Sequence, residues 1–82
     1  MPYIKQSRRT ELEHIVVDLA KAEIKADGDL NYILFKFCKY FIKPSYNNYK
    51  NFIGELRQCA TEIERSILAE YEEKRKEENG SI

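Results

Sequence analysis

Histidine occurs once, cysteine and proline twice each, glycine three times and tryptophan not at all in these 82 residues. Each scarcity closes off a class of function. A zinc-type site needs three or four ligands at workable spacing, and His14, Cys38 and Cys59 each stand alone on their own segment. Nucleophilic catalysis needs a base beside the nucleophile, and His14 falls on the outer side of its helix. Glu62 and Glu64 are two apart on one helix and point to different faces, so they make no acid–base pair. Three isolated glycines cannot form a phosphate-cradling loop. Two cysteines give no disulfide framework and read as reduced thiols packed like small hydrophobes. The residues argue against an enzyme and require no metal or cofactor.

Charge of one sign is missing too. Fourteen basic residues balance fourteen acidic ones, so bulk charge points to neither nucleic acid nor membrane. Its distribution is uneven. Residues 1–50 carry a net of +3 and residues 51–82 a net of −3, and no acid lies between Asp29 and Glu55, where Lys36, Lys39, Lys43 and Lys50 all fall. Such a strip is either a solvated face, an anion cradle, or a positive face for another subunit's acidic helix. Long apolar runs are also lacking. The stretch over 30–42 is interrupted by lysines and too short to span a bilayer, and the opening MPYIKQSRR has no apolar leader core. A cytoplasmic protein is expected, in the host cytoplasm if the gene is a phage's.

What is present is helical periodicity. Over 46–76, Tyr49, Ile53, Leu56, Ala60, Ile63 and Ile67 step by 4, 3, 4, 3 and 4, and Tyr71 follows four later. That spacing keeps one apolar seam on one side of a helix. About 30 helical residues would measure roughly 45 Å, more than the rest of so short a chain can cover. Upstream, residues 1–7 read as an extended arm. A first helix starts near Ser7 or Thr10, with Thr10-Glu11-Leu12-Glu13 as a capping box and a stripe of Leu12, Ile15, Val16 and Leu19. Gly28 should end it in the left-handed conformation. Asp29 should cap a second helix through the amides of Asn31 or Tyr32. That helix is apolar on most sides, through Leu30, Ile33, Leu34, Phe35, Phe37 and Phe41, and should be the buried centre of the fold. Pro44 stops it, and Ser45 caps the third helix. Glu70/Lys74 and Glu72/Lys76 are i, i+4 pairs at its charged far end, and a tail lies over 79–82. The fold class is all-α: a single domain over 1–82, with a long third helix overhanging a two-helix hairpin, assembled as a homo-oligomer.

Helices 2 and 3 with a short turn could imitate a helix-turn-helix. The recognition helix would then present Glu55, Glu62 and Glu64 beside Arg57 and Arg65, and phosphates would be repelled. There are six tyrosines. Tyr40, Tyr46 and Tyr49 fit packing roles, whereas Tyr3, Tyr32 and Tyr71 sit beside polar or terminal positions. With Lys36, Arg57 and Arg65 they supply rings to stack on and forks for phosphate.

The opening MPYIKQ with Arg9, the segment GDLNY at 28–32, Ile53-Gly54 with Leu56, then Glu62, Arg65, Tyr71-Glu72, Lys74 and the closing ENG at 78–80 carry a resemblance. The chain resembles a family of short, uncharacterised prokaryotic and phage proteins over nearly its whole length. It departs from the family pattern at Arg57, where an acid is usual, at Ser66, where a second Arg follows, and at Glu70, where Pro is common. Arg57 is therefore the least secure member of any site. The resemblance implies no activity but marks residues for attention: Tyr3, Arg9, Asn31, Tyr32, Lys36, Glu62, Arg65, Tyr71 and Asn79 form the candidate ligand-binding set. The leading expectation is a non-enzymatic homo-oligomer that holds a small anion, a nucleotide or cyclic-nucleotide signal, as a phage-type sponge would. The alternatives are an adaptor that docks a partner protein through helix 3, and a nucleic-acid accessory protein.

Overall fold

A computed structural model describes residues 4–80. Among them there is no strand: α1 spans Gln6–Lys21, α2 spans Gly28–Phe41, and the third helix runs as α3 (Tyr46–Ile63), a π turn (Glu64–Leu68) and α4 (Ala69–Asn79). The all-α, three-helix expectation holds. The chain divides into two units, one ending at Ile42 and the other beginning at Lys43. Among the described residues, no helix is long and apolar enough to cross a membrane.

In the first unit, helix begins near Ser7, the earlier of the two expected starts, and not at the Thr10 capping box. Gln6 and Ser7, assigned to the arm, are already helical, with Lys5 at the N-cap position. Thr10 is not a cap; its hydroxyl donates back to the Gln6 carbonyl at 3.1 Å, a bond that hydroxyl side chains commonly make inside helices. The far end also comes early. Glu23 takes φ 56, its amide donates to the Ala20 carbonyl at 3.0 Å, and the Ile24 amide donates to the Leu19 carbonyl at 3.2 Å. This pair of bonds is the Schellman arrangement, which satisfies carbonyls the helix would otherwise leave open. Glutamate occupies the left-handed position that Gly28 was expected to fill, and Gly28 instead opens α2.

The cap of α2 moves by two residues. Asp27 is the N-cap residue, and its carboxylate accepts from the Asp29 amide at 3.1 Å. The Asp29 carboxylate turns back and accepts from the Lys25 amide at 3.3 Å. Both acids still oppose the helix dipole at its positive end, which is why either assignment looks reasonable from sequence. The larger difference concerns burial. α2 was expected to be the covered centre, yet none of the described residues is buried; Phe35 is 66% exposed and Phe41 75%. Phe37 and Phe41 stack on each other, ring centroids 6.0 Å apart, one turn along the same helix.

The second unit is a short lead-in and then one helical run. Ser45 caps it as expected, its hydroxyl accepting from the Asn48 amide at 3.0 Å, while the Asn48 side chain donates to the Lys43 carbonyl at 2.9 Å. Such a cap stabilises the helix by about 1 kcal/mol. The helix is not uniformly α. The Ala69 amide reaches the Glu64 carbonyl, five residues back, which inserts one residue into the turn over Glu64–Leu68. An inserted residue rotates the downstream helix by roughly 100° about its axis. Ile67 and Tyr71, in phase with the seam on a regular helix, are turned away from it, and Leu68 comes closer; their exposures are 66%, 58% and 44%. At the far end, among the described residues, Arg75 Nη1 pairs with Glu78 Oε2 at 3.5 Å, in place of the i, i+4 pairs expected. Gly80 turns the chain out at φ 80.

Candidate functional site

Two aromatic–cation surfaces stand out, one in each unit. The first lies along α2. Tyr32, Lys36 and Tyr40 are spaced by four, so they share one helix face. The Lys36 ammonium donates to the Tyr32 hydroxyl at 2.9 Å and lies 5.4 Å from the Tyr32 ring centre and 6.0 Å from that of Tyr40. The Lys39 ammonium is a second cation at Tyr40, 5.5 Å from its ring centre. Each such contact is worth about 0.5–1 kcal/mol at an exposed site. Together they hold two ammonium groups near ring faces, in the acid-free stretch between Asp29 and Glu55. The array can attract an anion and offers flat surfaces for a second ring.

The second surface is a groove of about 540 Å³ along α3, lined by Tyr46, Tyr49, Lys50, Ile53, Gly54 and Arg57. Lys50 stands 6.0 Å over the Tyr46 ring. Gly54 borders it on open space, where a Cβ would meet nothing within 4 Å. The lining has two cations and no acid.

Of the candidate set, the structure brings Tyr32 and Lys36 into direct contact, with Asn31 beside Tyr32 in the first turn of α2. Arg9 is on the first turns of α1. Glu62 and Arg65 fall on either side of the junction between α3 and the π turn, where Glu62 Oε1 accepts from Gln58 Nε2 at 3.4 Å. Tyr71 and Asn79 are on α4, the latter its last residue. Tyr3 lies outside the described residues. The sequence reading missed Tyr40 as the second ring around Lys36, and it missed Tyr46, Lys50 and Gly54 as a groove. The available signal was the i, i+4 spacing of ring and lysine, a spacing that packing explains equally well.

Cys38 is half-buried, as a small hydrophobe would be, whereas Cys59 is exposed. His14 is an exposed residue whose Nδ1 lies 2.7 Å from the Glu11 carbonyl. Among the described residues, no group of three or more His, Cys, Asp or Glu is placed to hold a metal ion.

A family model described as "Domain of unknown function (DUF6899)" matches residues 1–82. The chain belongs to that family. The match spans the whole sequence, and with it both aromatic–cation surfaces of this DUF6899 member. No curated protein and no solved structure matches the chain.

Proposed function

We propose that this DUF6899 protein is a non-enzymatic, self-associating binding protein that holds a small anion carrying an aromatic ring, of the nucleotide class. The observation that carries the proposal is the Lys36 ammonium placed between the rings of Tyr32 and Tyr40 and bonded to the Tyr32 hydroxyl. A phosphate can take the ammonium, and a base can stack on a ring exposed over 60% of its residue surface. Self-association enters through burial. With no described residue buried, the apolar sides of α2 and α3 gain most from another protein surface. Further copies of the chain would supply it and could bring Arg65 or Tyr71 of one copy toward the α2 array of another. The narrower version, a phage sponge for a host's nucleotide defence signal, rests on the family resemblance alone.

The test is titration calorimetry on the purified chain with adenosine monophosphate, adenosine and inorganic phosphate, beside native mass spectrometry for subunit number and retained mass. The nucleotide should bind at least tenfold more tightly than either fragment. Lys36→Ala should weaken it by about ten- to a hundredfold, the size of one charge-assisted contact. Equal, weak binding of all three probes by wild type and variant would overturn the ligand assignment. The open α3 face favours one competing reading, an adaptor for a different protein. A monomer in solution with no retained nucleotide would favour it.

A further inference from the structure

Five asparagines are spread along the chain, and Asn79 alone is followed by glycine. Asn31 precedes Tyr32, Asn47 precedes Asn48, Asn48 precedes Tyr49 and Asn51 precedes Phe52, all inside α2 or α3. A side chain on the following residue and helix on both sides hinder the next backbone nitrogen from approaching the carboxamide. Asn79 has neither protection. It is the exposed last residue of α4, and Gly80 leaves the helix at φ 80 and ψ 132. A Cβ built on Gly80 would meet nothing within 4 Å, and a hollow of about 430 Å³ lies there, lined by Glu73, Lys76, Glu77 and Gly80.

The helix ends differ as well. α1 closes with bonds from the Glu23 and Ile24 amides to the Ala20 and Leu19 carbonyls, and α2 with the Ile42 amide on the Cys38 carbonyl at 3.4 Å. Among the described residues, the Gly80 amide makes no such bond and the Asn79 carboxamide has no partner.

We infer that Asn79–Gly80 is a modification site, at which the chain deamidates without an enzyme. The Gly80 nitrogen gives up its proton and attacks Asn79 Cγ. The new N–Cγ bond closes a five-membered succinimide as the Cγ–Nδ2 bond breaks, and Nδ2 leaves as ammonia with that proton. Water then opens the ring at either carbonyl, giving aspartate or, with the main chain rerouted through Cγ, isoaspartate. Amide and water become carboxylate and ammonium, and no oxidant is needed. Glu73 and Glu77, lining the same hollow, are the bases at hand for the first proton. Closing the ring takes Asn79 out of helical backbone angles, which costs least at an end that no backbone bond holds. The product sets a negative charge at the C-terminal end of α4, beside Glu77 and Glu78, where the helix dipole opposes it, and the last turn opens more often. The chain's other such pair, Asp27–Gly28, is protected: a carboxylate is a far poorer electrophile than a carboxamide, and this one accepts from the Asp29 amide.

The experiment is intact-mass and peptide-map mass spectrometry on the full chain, held at neutral pH and body temperature over several weeks. The peptide carrying Asn79 should gain about 1 Da and split into two species of equal mass, one of them a substrate for an isoaspartate-specific methyltransferase. Peptides carrying Asn31, Asn47, Asn48 and Asn51 should keep their mass. Gly80→Ala, which adds a Cβ at a positive φ, should slow the gain by about tenfold. Asn79→Gln, whose ring would be six-membered, should abolish it over the same period. Asn79→Asp supplies the aspartyl product from the start and should speed amide exchange in the last turn of α4 by about two- to fivefold. No mass gain, or a gain shared evenly with the other asparagines, overturns the site. A gain as fast in Gly80→Ala overturns the Gly80 nitrogen as the attacking group. Exchange unchanged in Asn79→Asp overturns the effect on α4. Anion binding at α2 stands or falls separately from every one of these outcomes.

Discussion

α3 and α4 are consecutive stretches of one helix, and they solve the problem of standing in water differently. α3 has an apolar seam five side chains long, and its stability as a folded element depends on something covering that seam. α4 has Glu70, Glu72, Glu73, Glu77 and Glu78 interleaved with Lys74, Arg75 and Lys76, so nothing about it asks for cover. The π turn between them marks where one strategy gives way to the other. A helix can therefore be continuous in its hydrogen bonding and discontinuous in what its faces are for.

The sharpest way to break this contrast is to remove the extra residue. Deleting Ser66 should convert the π turn to regular helix and return Ile67 and Tyr71 to the seam. Burying those side chains against a neighbour should add about 2 kcal/mol per subunit, read as a rise in thermal midpoint of several degrees and a lower association midpoint. A smaller effect is expected at the other end of α3. Ser45→Ala leaves the Asn48 amide without its cap and should cost about 1 kcal/mol, lowering the thermal midpoint by about 4–8 °C for a chain of this size. The smallest is on α4. Glu78→Ala removes an exposed i, i+3 ion pair and should change stability by less than about 0.5 kcal/mol, with no change in association. A large effect there would mean that α4 carries packing and that the division at the π turn is misplaced.

Much of this fold is legible in the sequence. The 4-3-4-3 stepping of Tyr49 to Ile63, the Ser45 cap and the Gly80 exit each arise from local rules that the structure obeys. The misses share a physical cause. Asp27 and Asp29 can both serve the first turn of α2, and Glu23 can take a left-handed angle when two backbone bonds hold it there. In each case residue preference is a difference of about a kilocalorie or less between neighbouring solutions. The π turn left no mark in Glu-Arg-Ser-Ile-Leu, because an inserted residue changes hydrogen-bond partners without needing glycine or proline. The burial expected for α2 failed for a different reason: an all-round apolar helix states a need for cover without naming what supplies it. For the candidate site, sequence marked Tyr32 and Lys36, which do touch. It could not show that Tyr40 closes the other side, since the same ring serves equally well in a core.

The absence of tryptophan gives the α2 array one more property. The intrinsic fluorescence of this chain comes from its six tyrosines, and two of those rings share the Lys36 ammonium as a close neighbour. An anion that draws the ammonium away, or a base that stacks in its place, changes the surroundings of Tyr32 and Tyr40 directly. Binding there as proposed would therefore be read from tyrosine emission, without any label and without a brighter indole to mask it.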